Sequence, residues 1–274
     1  MRLVGEIGIN HNGSLEKAFE LIDACVENQF DVVKFQKRTP EICVPISEWY
    51  KSKSSIFGET TYIDYKRKIE FEKEEYDEID KYCKEKNIDW TASVWDIPSL
   101  KFLMNYDVPF IKIPSACLTN SDLITTAIEQ GKEIVLSTGM SSEYQIHKAI
   151  ELFPENYPLT ILHCNSSYPC PEVNINLNYM TTLQAIYPQY KVGYSGHEQG
   201  FYPTLVAAAM GADMIERHIT FDKNAIGSDH SSSLDLEDMR ALRKELNRIN
   251  LIKGFQPLKI VYPEEEKIAK KLRY

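Results

Sequence analysis

The chain has 274 residues, 43% hydrophobic and 26% charged, with a formal net charge of −9. That length fits two small domains or one α/β barrel of about 250 residues, and a core that size folds without a disulfide or metal staple. The acidic balance argues against nucleic-acid and anionic-membrane partners, which call for basic patches. Any anionic substrate must be held by a few local cations. The six cysteines show no CxxC spacing and are expected to be free thiols in a reducing cytoplasm. No run approaches about 18 apolar residues, so no membrane span is expected, and MRLVGEIGIN lacks the apolar stretch of a signal peptide.

Short apolar runs alternate with amphipathic ones from the first residue on. Eight strands are expected, at 2–9, 31–36, 88–95, 110–115, 133–139, 159–165, 191–196 and 214–220. Helical patterns follow at 14–28, with Ser14 as N-cap, then at 73–86, 97–106, 121–130, 142–153, 177–187, 200–211 and 235–250. The strands are continuously apolar, as parallel strands covered on both faces should be. Eight strand–helix units give the TIM (β/α)8 barrel count in a single domain, 1–274. A doubly wound sheet fits less well, because no Gly-rich dinucleotide turn follows the first strand. Residues 37–72 form a long aromatic insertion, expected to be an ordered lid. Residues 255–274 are expected to form a closing strap with a charged helix.

In a barrel of this kind the active-site residues come from the C-terminal ends of several strands. Here those ends carry Glu6, Lys34, Gln36, Ser93, Lys112, Ser115, Ser137, Ser195, His197, Glu216 and His218, with Tyr168 shortly after the sixth strand. Buried charges are costly unless paired, so their recurrence on nearly every strand points to a ligand-binding mouth. Lys34 and Lys112 read either as inward lysines paired with a carboxylate such as Glu6 or, with the serines, as holders of a phosphate or carboxylate. A Walker-type loop is absent, which disfavours a nucleotide. His197 and His218 end adjacent strands and can meet at one divalent ion. Asp229, in the loop 225-AIGSDHSSSL-234, reads as a turn residue, a sugar contact or a further metal ligand. His163 is expected in the core and His147 facing solvent. His11 and His230 sit in loops within reach of a substrate hydroxyl. Glu198 reads first as a surface charge and second as a partner supporting the histidine beside it.

The motifs EIGINHNGS at 6–14, VVKFQ at 32–36, IKIPS…LTN at 111–120, IVLSTGMSS at 134–142, LHC…YP at 162–169, VGYSGHE at 192–198 and IERHIT at 215–220 resemble those of the sialic acid synthases. That family includes N-acetylneuraminate, legionaminic, pseudaminic and spore-coat polysaccharide synthases. The resemblance implies a TIM barrel that condenses phosphoenolpyruvate with the open-chain aldehyde of an N-acetylmannosamine-like aldose and water, releasing phosphate and a 3-deoxy-2-keto sugar acid. It implies a divalent ion at His197 and His218, manganese before magnesium or cobalt. It implies phosphoenolpyruvate contacts at Lys34, Ser93, Lys112, Ser115, Ser137 and Ser195. Sugar contacts are implied at Glu6, Gln36, Tyr168 and Asp229, with Glu216 at the metal end and Glu6 as the proton-transfer group.

Three departures stand out. Longer members carry an antifreeze-like C-terminal domain that supplies an arginine to the N-acetyl group across a dimer; the sequence to Tyr274 shows no counterpart, so altered acetyl recognition is expected. A homodimer is implied, although that domain builds part of it. A usually acidic position falls in Ser115–Ala116–Cys117, and Ser166 stands where asparagine is usual. The phosphoenolpyruvate half is therefore expected to be preserved and the sugar half altered. Other readings are a non-acetylated or phosphorylated acceptor of the octulosonate type, ranked lower because the early cysteine motif of those enzymes is missing, a Schiff-base lyase using Lys112, and a non-catalytic sugar-binding subunit.

Overall fold

In the computed structural model, which describes residues 1–254 and 258–274, the chain opens with β1 (Arg2–Gly8), α1 (Leu15–Glu27) and β2 (Val32–Lys37). The insertion follows: α2 (Pro40–Cys43), β3 (Ser52–Ser55), β4 (Gly58–Thr61) and α3 (Tyr62–Ile69). Regular alternation then resumes with α4 (Lys73–Lys86), β5 (Asp89–Val94), α5 (Ile97–Leu103), β6 (Ile111–Ile113), α6 (Ser121–Ile128), β7 (Ile134–Ser137) and α7 (Glu143–Ile150). It continues through β8 (Leu159–Cys164), α8 (Asn178–Ile186), β9 (Lys191–Gly196), α9 (Tyr202–Ala209), β10 (Met214–His218), α10 (Leu236–Lys253) and α11 (Pro263–Leu272).

Eight strands close into a parallel barrel in the order β1-β10-β9-β8-β7-β6-β5-β2, while β3 and β4 pair separately as an antiparallel hairpin. This is the TIM-barrel architecture expected from the alternation of patterns. Helix starts follow local chemistry: Ser14 accepts from the Lys17 amide and Asp96 from the Ser99 amide, satisfying donors that have no intrahelical partner. No helix among the described residues is long and apolar enough to cross a membrane.

The core has two parts. A large apolar cluster fills the space between strands and helices. A smaller one, Val4, Val32, Phe110, Val135, Leu162 and Met214, plugs the barrel interior. Side chains alternate along a strand, so position i+2 points the same way one level higher. Two residues beyond each plug residue stand Glu6, Lys34, Lys112, Ser137, Cys164 and Glu216. The apolar floor thus fixes which residues form the polar layer above it.

The insertion is ordered. Lys37 is still part of β2 and donates to the Phe71 carbonyl at 2.6 Å, and Arg38 pairs with Glu70 at 2.7 Å. Tyr65 and Ile69 of α3 pack with Ile9 against the β1 loop. Of the expected strap, 255–257 lie outside the described residues; α11 has no buried residue.

Candidate active site

At the C-terminal end of the barrel a cavity of about 170 Å³ is lined by twelve of the thirteen predicted site residues: Glu6, Lys34, Gln36, Ser93, Lys112, Ser115, Ser137, Tyr168, Ser195, His197, Glu216 and His218. Strand register places them. Glu6 is level with Lys34 on β2 and with His218 on β10, and Glu216 is level with Ser195 on β9. Trp95, Met140, Cys164 and Ser166 also line the cavity. Sequence reasoning missed these four as site residues, although Cys164 falls on the inward side of β8 by the same alternation and Trp95 follows β5 directly, two residues beyond the inward Ser93.

Both lysines are buried and paired. Lys112 Nζ lies 2.8 Å from each Glu216 oxygen, and Lys34 bridges Glu6 and, at 3.7 Å, Glu216. The two expected roles, carboxylate pairing and anion holding, therefore fall on the same groups. Burial opposes ionisation of both carboxylates. In Glu216 the two lysines overcome it and hold the pKa well below the usual range. In Glu6 burial prevails, reinforced by the negative Glu216, and the pKa rises to about 7 despite Lys34. Burial also pushes Lys112 down, whereas in Lys34 the two carboxylates outweigh burial and raise it. With Glu6 protonated, two ammonium groups face one carboxylate, and the cluster carries a single positive charge suited to an anion.

His197 Nδ1 is held by the Asn165 carbonyl at 2.7 Å, which turns Nε2 into the cavity, where the Tyr168 hydroxyl sits 2.8 Å away. His218 is buried; its Nδ1 has no hydrogen-bond partner and lies 3.8 Å from Asp229 Oδ2. The two imidazole centroids are 5.5 Å apart. One ring oriented through its far nitrogen by a backbone carbonyl, beside a second with an orphaned nitrogen, fits a borderline divalent ion. Among the described residues no three His, Cys, Asp or Glu side chains converge to cage one. The chain would thus offer two imidazoles and leave the other positions to water and substrate.

Several expectations need correction. Asp229 is buried and does not line the cavity; it touches the site only through His218. His11 is buried and stacks on Phe71 at 4.0 Å, with Nδ1 accepting from the Gly13 amide, and His230 bonds Asn12 and Thr220. Both are spent on holding loops. His163, by contrast, is buried as expected: its Nε2–H donates to the Ile175 carbonyl at 2.6 Å, while Nδ1 is left unpartnered. Cys117, at the usually acidic position, is buried with its thiol 3.4 Å from the Trp95 carbonyl.

Glu198 is the clearest reversal. It is fully buried, not a surface charge, and pairs with Arg217 at 2.8 Å, with Tyr194 and Thr204 also donating to it. A Cβ on Gly196 would run into this carboxylate, so the GYSGHE turn needs its glycine. Glu198 follows His197 and Arg217 precedes His218, so one ion pair fastens the backbone of both histidines.

A (β/α)8 barrel whose mouth combines two buried lysines, five serines and two paired histidines defines an enzyme that handles a small anionic substrate. The comparisons narrow this class. The chain matches the NeuB family over residues 21–256 and belongs to that family. It is 34% identical over 274 residues to the human N-acetylneuraminate-9-phosphate synthase, covering 98% of this chain and 76% of that one. It is 31% identical over 259 residues to the Campylobacter jejuni N,N'-diacetyllegionaminic acid synthase, covering 92% and 77%. Among solved structures, the N-acetylneuraminic acid synthetase of Leptospira borgpetersenii superposes with a TM-score of 0.88 at 31% identity, covering 99% of this chain and 92% of that one. The protein is a phosphoenolpyruvate-dependent, carbon–carbon bond-forming transferase of the sialic acid synthase type.

Proposed function

We propose that the chain condenses phosphoenolpyruvate with the open-chain aldehyde of an acetylated hexosamine-type aldose and water, giving a nonulosonic-type 3-deoxy-2-keto acid and phosphate, with a divalent ion, manganese first, at His197 and His218. The convergence of Lys34, Lys112, Ser93, Ser115, Ser137 and Ser195 on one cavity, with the histidine pair at its edge, carries this reading. Relatives named for N-acetylneuraminate-9-phosphate and diacetyllegionaminic acid support the acceptor class. The lysines and serines hold the phosphate and carboxylate of phosphoenolpyruvate and stabilise charge as the enol carbon attacks the aldehyde. Water adds to the carbon that carries the phosphate, and phosphate leaves from the resulting tetrahedral centre. Glu6, poised near neutrality, exchanges the proton at the sugar oxygen. When bound, the ion would polarise the aldehyde and lower the pKa of a water.

Phosphate release across a panel of aldoses, with mass spectrometry of the product, tests the reading; no release with any aldose in the presence of manganese sinks it. His197→Ala is expected to abolish manganese-dependent turnover and to weaken manganese binding by about tenfold or more, read by electron paramagnetic resonance of the free ion. The Tyr168 bond and the Asn165 carbonyl do not hold the backbone, so the melting curve should stay two-state.

A pH prediction follows from Glu6. An incoming anion favours the protonated form of that carboxyl, so the enzyme takes up a proton as phosphoenolpyruvate binds near pH 7. Affinity should then fall as pH rises through about 7, by up to about tenfold per pH unit. Calorimetry in buffers of different ionisation enthalpy counts the proton, and Glu6→Gln should flatten the profile. A profile equally steep in that variant would assign the proton elsewhere.

A further inference from the structure

Arg38 is buried beside the mouth, outside the set of lysines, serines and histidines that face the substrates. Its Nε pairs with Glu70 of the insertion at 2.7 Å, and its backbone amide donates to the other oxygen of that carboxylate at 3.1 Å. Its Nη2 donates to Gln36 Oε1, and its guanidinium carbon lies 4.7 Å from the Trp95 ring centroid. Gln36 and Trp95 line the cavity, whereas Arg38 and Glu70 do not. Two buried charges from the insertion thus grip two walls of the site. A tie between insertion and barrel needs no charge, because apolar side chains of similar volume often stabilise such a contact as well or better. What an arginine adds is direction.

A carboxamide is nearly symmetric in shape, so its neighbours decide which way it faces. Arginine carries only donors, so Gln36 must turn its oxygen to Arg38. Its Nε2 then faces Glu6 and donates to Oε1 at 3.1 Å. Gly8 leaves the room for this approach: a Cβ there would stand 3.0 Å from Gln36 Nε2 and 3.1 Å from Glu6 Oε1. One N–H of the amide remains, and among the described residues it has no acceptor. Gln36 is half-buried in the cavity wall, so that donor is left for whatever fills the mouth.

Building on the synthase reading above, we infer that Arg38, anchored by Glu70, is a positioning residue for the acceptor half of the site. It locks the Gln36 carboxamide with its hydrogens toward Glu6 and the mouth, so the group that meets Gln36 is an acceptor oxygen of the aldose, a hydroxyl or an amide carbonyl. Without Arg38 the carboxamide is free to flip, which sets its own oxygen against that acceptor. The insertion therefore acts on aldose binding through one guanidinium, without touching the sugar there.

The test uses the full chain with manganese, phosphoenolpyruvate and the alditol of N-acetylmannosamine, which lacks the aldehyde and does not turn over. Glu70→Gln accompanies Arg38→Met so that no buried carboxylate is stranded. Calorimetry should show this double variant binding the alditol about tenfold more weakly than the parent. Phosphoenolpyruvate affinity should stay within about twofold, since methionine still packs on Trp95. In a Gln36→Ala background the same two changes should leave alditol affinity unmoved, because the group they act through is gone. A merely structural tie would weaken binding in both backgrounds, so an equal loss in both, or no loss in either, overturns the inference. NMR reads the amide in the parent without turnover, ligand or a foldable Arg38 variant. The Gln36 side-chain pair, assigned by its absence in Gln36→Ala, should exchange with solvent at least about tenfold more slowly than exposed glutamine amides. Exchange at the exposed rate overturns the inference too. Phosphate release by the parent decides the synthase reading separately: failure of the Arg38 tests in an enzyme that releases phosphate removes only this role, and a protected Gln36 amide in one that releases none faults only the synthase reading.

Discussion

Arg217→Met is expected to lower folding stability by about 3–5 kcal/mol, because it strands the Glu198 carboxylate in a site with no solvent access. For a chain of this size that is a fall in melting temperature of roughly 10 °C. The guanidinium also donates to the Gly200 carbonyl, the Glu198 carbonyl and the Thr204 hydroxyl, each at 2.8 Å, so the loss extends to the loop joining β9 to α9. The double variant Arg217→Met, Glu198→Gln should recover a large part of the loss, since a neutral amide is far cheaper to bury than an unpaired carboxylate. Urea denaturation of the two singles and the double measures the coupling. A single variant within about 0.5 kcal/mol of the parent would mean the pair is not what holds this end of the barrel. Turnover separates support from chemistry. Neither side chain lines the cavity, so the double variant should fold well yet lose rate as the two histidines drift, with manganese affinity falling in step.

The barrel was legible because its strands are apolar in a way only two-sided burial explains. The mouth was legible because polar residues interrupt those strands at a fixed height. Val4 and Glu6, Val32 and Lys34, Phe110 and Lys112, Met214 and Glu216 each make the same step from plug to site two residues apart. What failed came mostly from loops and from the outward side of the strands. His11, His230 and Asp229 sit in turns where no period fixes a direction, and the structure turns them into the packing between loops. Arg217 lies between Glu216 and His218, both inward, so alternation sends it out toward α9; a charge on that face needs a partner, and Glu198 was the one acid near the end of the adjacent strand. The signal was present but had been spent on the inward residues alone. The insertion could be seen to be ordered from its aromatics. Its hairpin, turned at Ile56–Phe57 with Gly58 at φ 79°, carries no Asn-Gly or Asp-Gly signature that would have marked it.

Lys112→Met should cut kcat/KM for phosphoenolpyruvate by roughly 10²–10³-fold, the loss typical of removing one preorganised group that stabilises developing charge. The same change also breaks a buried pair, because both Glu216 oxygens are bound to Lys112 Nζ and only Lys34, at 3.7 Å, and the Ser195 hydroxyl, at 3.2 Å, would remain. Stability should therefore fall by about 3 kcal/mol, and low activity alone would not tell a missing cation from a disordered site. Adding Glu216→Gln resolves this. The double variant removes both charges, leaves Lys34 paired with Glu6, and should regain most of the urea midpoint. Its phosphate release should stay as low as that of the single variant, because the cation that faces the substrate is still gone. Recovery of turnover together with stability would show that Lys112 serves the barrel and not the reaction. Persistent loss in a well-folded double variant would place its charge on the phosphate or carboxylate of phosphoenolpyruvate. Borohydride treatment of the parent enzyme completes the distinction: an ammonium clamped by two carboxylate oxygens is a poor Schiff-base nucleophile, so no covalent adduct at Lys112 should form with a 2-keto acid.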